Sequence, residues 1–162
     1  MQSIEKGELE ELDKKLGSIL KQLPDKRRQM HVILAERAKA AVDRQTSIRL
    51  NDSNGKVQSW QQKHVGTGGG YAAVRPTDQT NDSNKYPTPG SKSPGAVTNY
   101  LENGHAARKR SAFSKLKRRA HEVQDYVEGR YMYDNAKVQM ERDALIEAKK
   151  LVQELGQELS DG

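Results

Sequence analysis

The 162-residue chain reads as an α+β protein, with N-terminal helices, a small antiparallel sheet carrying a glycine-tipped hairpin, and a long C-terminal helix. Three observations predict that order. Apolar residues recur at steps of three and four near both ends, and the middle switches to short runs bounded by turn formers. The two regimes also come in blocks, which argues against a doubly wound cofactor fold, where strand and helix alternate.

The first stripe is Leu9, Leu12, Leu16, Ile19, Leu20 and Leu23, one apolar helix face with charged residues on the other. Pro24 is expected to break or kink this helix and to open a second one, where its missing N–H costs nothing. Met30, Ile33, Leu34, Ala38, Ala41 and Val42 continue the second stripe to about residue 45. After Thr46, "SIRL" has strand character, and "NDSNG" at 51–55 is a turn whose glycine accepts positive φ. "KVQSWQQKHV" and "YAAVRP" read as strands flanking "GTGGG", a flexible hairpin tip, with Pro76 ending the second strand.

Residues 77–95, with Pro87, Pro89 and Pro94 and almost no apolar side chain, are expected to form a mobile loop. "AVTNYLENG" reads as a short helix or the start of a strand, stopping at Gly104 as a left-handed cap. From Met132 through Ala136, Met140, Ala144, Ile146 or Leu145, Ala148, Leu151, Val152, Leu155 and Leu159 the pattern is that of a long amphipathic helix. No internal repeat is visible. The expected organisation is one domain over 1–162, with the loop 77–95 and a basic arm 105–126.

Only 33% of the residues are hydrophobic and eight are aromatic (six Tyr, one Trp, one Phe), so the core must be modest. A chain this polar, with 31% charged residues, commonly needs neighbours to order it. Cysteine is absent, which excludes disulfides and thiolate metal sites and leaves an intracellular setting as the default. The N-terminal stretch is acidic and amphipathic, unlike a targeting signal, and no eighteen apolar residues run together. The reading is a soluble protein with no membrane partner.

The net charge of +6 is uneven along the chain. Residues 105–126 hold seven basic and two acidic groups, whereas 127–162 hold five and eight. The basic residues are Arg108, Lys109, Arg110, Lys115, Lys117, Arg118 and Arg119, candidates for contact with DNA or with an acidic neighbour. No helix-turn-helix, zinc-ligand or RNP-type pattern accompanies them, so sequence-specific recognition has no apparatus.

Other candidate chemistry is weak. "GTGGG" lacks the Gly-Lys-Ser/Thr of a phosphate loop and leads into a strand. His31, His64, His105 and His121 lie in separate segments, none at ligand spacing with another. No nucleophile is marked by an elbow or an adjacent base, so the chain is read as noncatalytic and without a cofactor.

The flanks of the basic run are more specific. "AVTNYLENGH" at 96–105 and "VEGRYMYDNA" at 127–136 resemble the paired signatures of the phage tail-completion (head-tail joining, minor tail-component) family. There a segment with a Tyr shortly before Glu-x-Gly precedes a variable arm, and a Gly-Arg-aromatic turn opens the last helix. The matching positions are Asn99, Tyr100, Glu102, Gly104 and His105, then Val127, Gly129, Arg130, Tyr131, Met132, Tyr133 and Ala136. The order of elements is similar over nearly the whole chain. The Pro-rich insertion and the strongly basic arm depart from the pattern.

The resemblance implies a structural virion protein, assembled in the bacterial cytoplasm into a ring of identical copies, a hexamer or dodecamer, in the neck of a tailed phage or prophage-like particle. Its partners would be head connector or stopper proteins, tail terminator or tube proteins, and DNA in the channel. The competing reading is a small basic protein that binds nucleic acid without sequence preference. For the motif residues the expected roles are structural. Gly104 and Gly129 permit tight turns at the base of the arm, and Arg130 bonds carbonyls or a carboxylate such as Glu102. Tyr100, Tyr131 and Tyr133 pack between the sheet and the last helix.

Overall fold

The computed structural model describes residues 6–77, 93–106 and 126–160. The α+β architecture is as expected, but its helices and strands are drawn differently. Helix α1 runs unbroken over Lys6–Arg49, with Pro24 inside it. The expected break at Pro24 does not occur. Pro24 is exposed, so the carbonyl deprived of its N–H partner is open to water, and the apolar spacing keeps its phase across it.

Ser47–Arg49 of "SIRL" likewise belong to α1 and not to a strand. The Thr46 hydroxyl donates to the Val42 carbonyl at 2.9 Å and the Ser47 hydroxyl to that of Asp43 at 3.1 Å, so both satisfy themselves within the helix. Helix α2 (Lys56–Trp60) replaces the first half of the expected strand. Its cause is Asp52, whose carboxylate accepts from the N–H groups of Lys56, Val57 and Gln58 at 2.9–3.1 Å. Gly55 takes the positive φ the turn needs, 60°.

The hairpin is present. Strands β1 (Gln61–Val65) and β2 (Ala72–Pro76) pair antiparallel, from Gln61 opposite Pro76 to Val65 opposite Ala72. Its glycine tip, a 3₁₀ turn at Thr67–Gly69, is seated rather than loose. A Cβ on Gly69 would lie 2.7 Å from the Cβ of Arg28, so glycine is what lets the tip lie against α1.

Helix α3 (Pro94–Asn103) resolves the helix-or-strand alternative and begins inside the expected loop. Ser93 caps it, accepting from the Ala96 N–H at 3.2 Å, and Pro94 fills the first turn. The remainder of that loop, 78–92, lies outside the described residues, as do 107–125 of the arm. The two ends of the arm pair as β3 (His105–Ala106) and β4 (Tyr126–Val127), antiparallel.

Helix α4 (Met132–Ser160) runs antiparallel along α1. Thr46 meets Met132, Arg37 reaches Asp143 and Glu147, and Lys26 reaches Glu154 and Glu158. The buried apolar residues are few and mostly small: Ala35, Ala38, Val42, Met132 and Ala136. Small side chains bring the helix axes close, which suits a chain with little apolar volume to spend.

Glu147 is buried in this seam, 3.0 Å from Arg37 Nη2 and 2.9 Å from Lys150 Nζ. The Lys150 hydrogen bond, helped by the Arg37 charge, holds its carboxyl below the usual glutamate range although burial pushes the other way. A depressed folded-state pKa contributes stability above the unfolded value and loses it as pH falls through the folded one. Urea midpoints measured from pH 7 to pH 3 should therefore fall more steeply for the wild type than for Glu147→Gln. Parallel curves would remove Glu147 from the acid sensitivity.

Candidate functional site at the base of the arm

The two sequence signatures meet in space. Helix α3 ends where the Gly104 N–H donates to the Tyr100 carbonyl at 2.9 Å, and Gly104 takes φ 77° and ψ 178°. That is not the left-handed cap expected. It is an extended conformation with positive φ that side-chain-bearing residues seldom adopt, and it sends the chain straight into β3.

The returning strand passes equally close. A Cβ on Gly129 would fall 2.1 Å from the Glu102 carbonyl oxygen, and one on Gly104 would fall 2.4 Å from that of Val127. Backbone bonds close the contact: Arg130 N–H to the Leu101 carbonyl at 2.5 Å, and Tyr131 N–H to that of Glu102 at 3.3 Å. The Tyr126 hydroxyl donates to the Asn103 carbonyl at 2.6 Å.

The Glu102 carboxylate then crosses to α4. It accepts from the Tyr133 N–H at 3.0 and 3.1 Å and from the Asp134 N–H at 3.1 Å. Two otherwise unpaired donors of the first turn are satisfied, and an anion sits at the positive end of a 29-residue helix. The chain enters α4 through Tyr131 at φ 51°, the one non-glycine with positive φ among the described residues. Such a residue costs about 1 kcal/mol or more, sustained here by the bonds on either side.

Behind the cap lies a buried polar relay. The Tyr133 hydroxyl donates to Gln61 Oε1, and Gln61 Nε2 donates to the Val57 carbonyl and to Thr98 Oγ1, both at 3.2 Å. Gln61 and Thr98 are buried, so α2, β1, α3 and α4 are joined through one amide. Burial, with the Glu102 charge nearby, pushes the Tyr133 phenol up to about 12.

Most of the motif residues named from the sequence converge here, with different duties from those expected. Of the three tyrosines only Tyr133 packs inward. Tyr100 and Tyr131 are exposed, the Tyr100 ring lying 5.2 Å from that of His105. Arg130 acts through its backbone; its guanidinium is exposed and the Glu102 carboxylate is held by α4 instead. Met132 and Ala136 are buried against α1.

Sequence reasoning missed Gln61, Thr98 and Tyr126. Thr98 stands four residues before Glu102 on the inner face of α3, a signal that exists only once the helix is assigned. Gln61 carried none. The seven basic candidates from Arg108 to Arg119 lie outside the described residues.

Chemically the base is a clamp. Its carboxylate is filled by N–H groups. His31, His64 and His105 lie in separate contacts. Among the described residues no three ligating side chains cluster as a metal site would require, and no helix is long and apolar enough to cross a membrane. No protein-family model matches the chain, and neither a curated protein nor a solved structure is significantly similar to it.

Gly129→Ala should cost about 2–4 kcal/mol in urea denaturation, because backbone must move to admit the methyl group. Gly156→Ala, with open space around it inside α4, should be neutral or stabilising. Equal effects would show that the close approach at Gly129 is unimportant.

For Tyr133 the proton is held in the folded state above the unfolded value of 10. Its stabilisation is complete below pH 10 and lost as pH rises towards 12. Tyr133→Phe should be less stable at neutral pH yet show a shallower alkaline decline.

Proposed function

We propose that the chain is a noncatalytic assembly protein, a ring subunit in the neck of a tailed phage or prophage-like particle that joins head connector to tail. The observation that carries this reading is the clamp. The residues on which the resemblance to tail-completion proteins rests, Glu102, Gly104, Gly129 and Met132–Tyr133, come together at one place across the excursion from Ala106 to Tyr126. A clamp of that design presents a long segment from a rigid body. This is useful where the segment must reach a neighbouring subunit or the channel.

The sparse core also supports it. Many large apolar side chains stay exposed on α1 and α4, more than a self-sufficient monomer of this polarity needs to show. The virion-neck location and the connector and tail partners are part of the same proposal.

Particles produced without the protein should accumulate as DNA-filled heads and separate tails in electron micrographs, and Gly129→Ala should reproduce that defect in part. Normal joined particles in its absence would overturn the neck role. A second reading, nonspecific nucleic-acid binding, is favoured by the seven basic residues within 105–126. Titration with duplex DNA at two salt concentrations separates the two. Tight binding by the monomer with a steep salt dependence would favour the second.

A further inference from the structure

Helix α1 is longer than its partner. The ion pairs of Lys26 with Glu154 and Glu158 mark the last turns of α4, which ends at Ser160. The same antiparallel register sets Ser160 about level with Gln22, so about sixteen residues of α1, about 24 Å at 1.5 Å per residue, project past that end. Their stripe continues the seam that α4 covers further along. Leu9, Leu12, Leu16 and Leu20 are 41–66% exposed, with Asp13 set between them one turn from Leu9 and from Leu16.

Helix α4 has a second, outward ridge of the same kind. Val138, Leu145, Val152 and Leu159 repeat every seven residues and are 37–67% exposed. Arg142 and Lys149 fill the intervening steps. Leu145 and the inward-facing Glu147 are about 200° apart around the helix, so α1 of the same chain cannot cover this ridge. Among the described residues neither Arg142 nor Lys149 pairs with a carboxylate, and Asp13 pairs with no cation.

We propose that the projecting end of α1 docks on the outward ridge of α4 of a second copy. Charge selects this occupant. The projecting end balances Glu8, Glu10, Glu11 and Asp13 against Lys6, Lys14, Lys15 and Lys21, with Glu11 paired to Lys15. The charge set inside its apolar stripe is the acid Asp13, whereas the ridge interleaves its apolar residues with Arg142 and Lys149. Apolar steps meet apolar steps, and an acid meets a base between them. Pairing two α1 ends in parallel around the Leu9–Leu12–Leu16 seam would instead bring Glu8 against Asp13, two like charges. The contact joins unlike surfaces, so each copy offers one of each and the interaction propagates, closing into a ring when the rotation allows.

The inference rests on self-assembly as part of the proposed function and names the surfaces that would perform it. The chain has no cysteine, which permits a direct test in the full-length protein. Single substitutions Leu9→Cys, Leu12→Cys or Leu16→Cys are mixed with Val138→Cys, Leu145→Cys or Val152→Cys and oxidised mildly. At least one mixed pair should cross-link about tenfold more than either variant alone. Asp13→Lys should abolish the excess, and adding Arg142→Asp and Lys149→Asp in the other partner should restore it.

Predominant cross-linking of an α1 variant to itself, or of an α4 variant to itself, would overturn the proposal. So would the absence of mixed cross-links in every combination. Loss of the cross-link while joined particles still require the protein removes only this interface. Cross-linking that persists while particles join without the protein removes only the neck role.

Discussion

The α1–α4 seam is the constraint on which the rest of the molecule depends. Ala35, Ala38, Val42, Met132 and Ala136 supply almost no volume, so the helices are held by close approach along their length rather than by a thick core. Arg37 with Asp143 and Glu147, and Lys26 with Glu154 and Glu158, set the register. Salt bridges of this kind add little net stability, but a slide along the seam would part the buried Glu147 from Arg37 and leave it only Lys150 of its own helix. The hairpin lies on α1 too, through Gly69 against Arg28 and Lys63 paired with Glu36 at 2.7 Å.

Because α4 must begin at a fixed point along α1, the chain entering it must be fixed as well. Glu102 does this from α3, which is itself tied to the sheet through Thr98 and Gln61. One carboxylate therefore serves as the cap of α4 and as the anchor of the returning arm. The two ends of the arm are closed together by hydrogen bonds to the Leu101, Glu102 and Asn103 carbonyls, from the Arg130 and Tyr131 N–H groups and the Tyr126 hydroxyl. A segment whose two ends are held this way fits the proposed role of bridging subunits.

Much of the fold was legible because it followed from period. The stripes of α1 and α4, the β1–β2 hairpin and the stop at Gly104 all come from local spacing and turn chemistry. The misreadings share a cause. Pro24, "SIRL" and "KVQSW" are local-propensity readings, and the surroundings of each segment decide the outcome. Exposure to water lets the helix run on through Pro24, and Thr46 is buried against Met132. Asp52, four residues upstream of Lys56, wound α2. The candidate site was legible as two short signatures, but the assignment of roles was not. Arg130 seemed the natural partner of Glu102, and the free N–H groups at the start of α4, which no side-chain pattern displays, took its place.

The sequence by itself determined the amphipathic helices, the glycine positions and the uneven charge, since these depend only on which residues stand three, four or seven apart. Tertiary structure decided what those features touch. It brought Gly129 within a methyl's width of the Glu102 carbonyl and made Gln61 a junction of four elements. It also left the first turns of α1 without a partner from α4 of the same chain. The reason is that a helix stripe records only that something apolar must face it, while helix length and register determine whether that something belongs to the same chain.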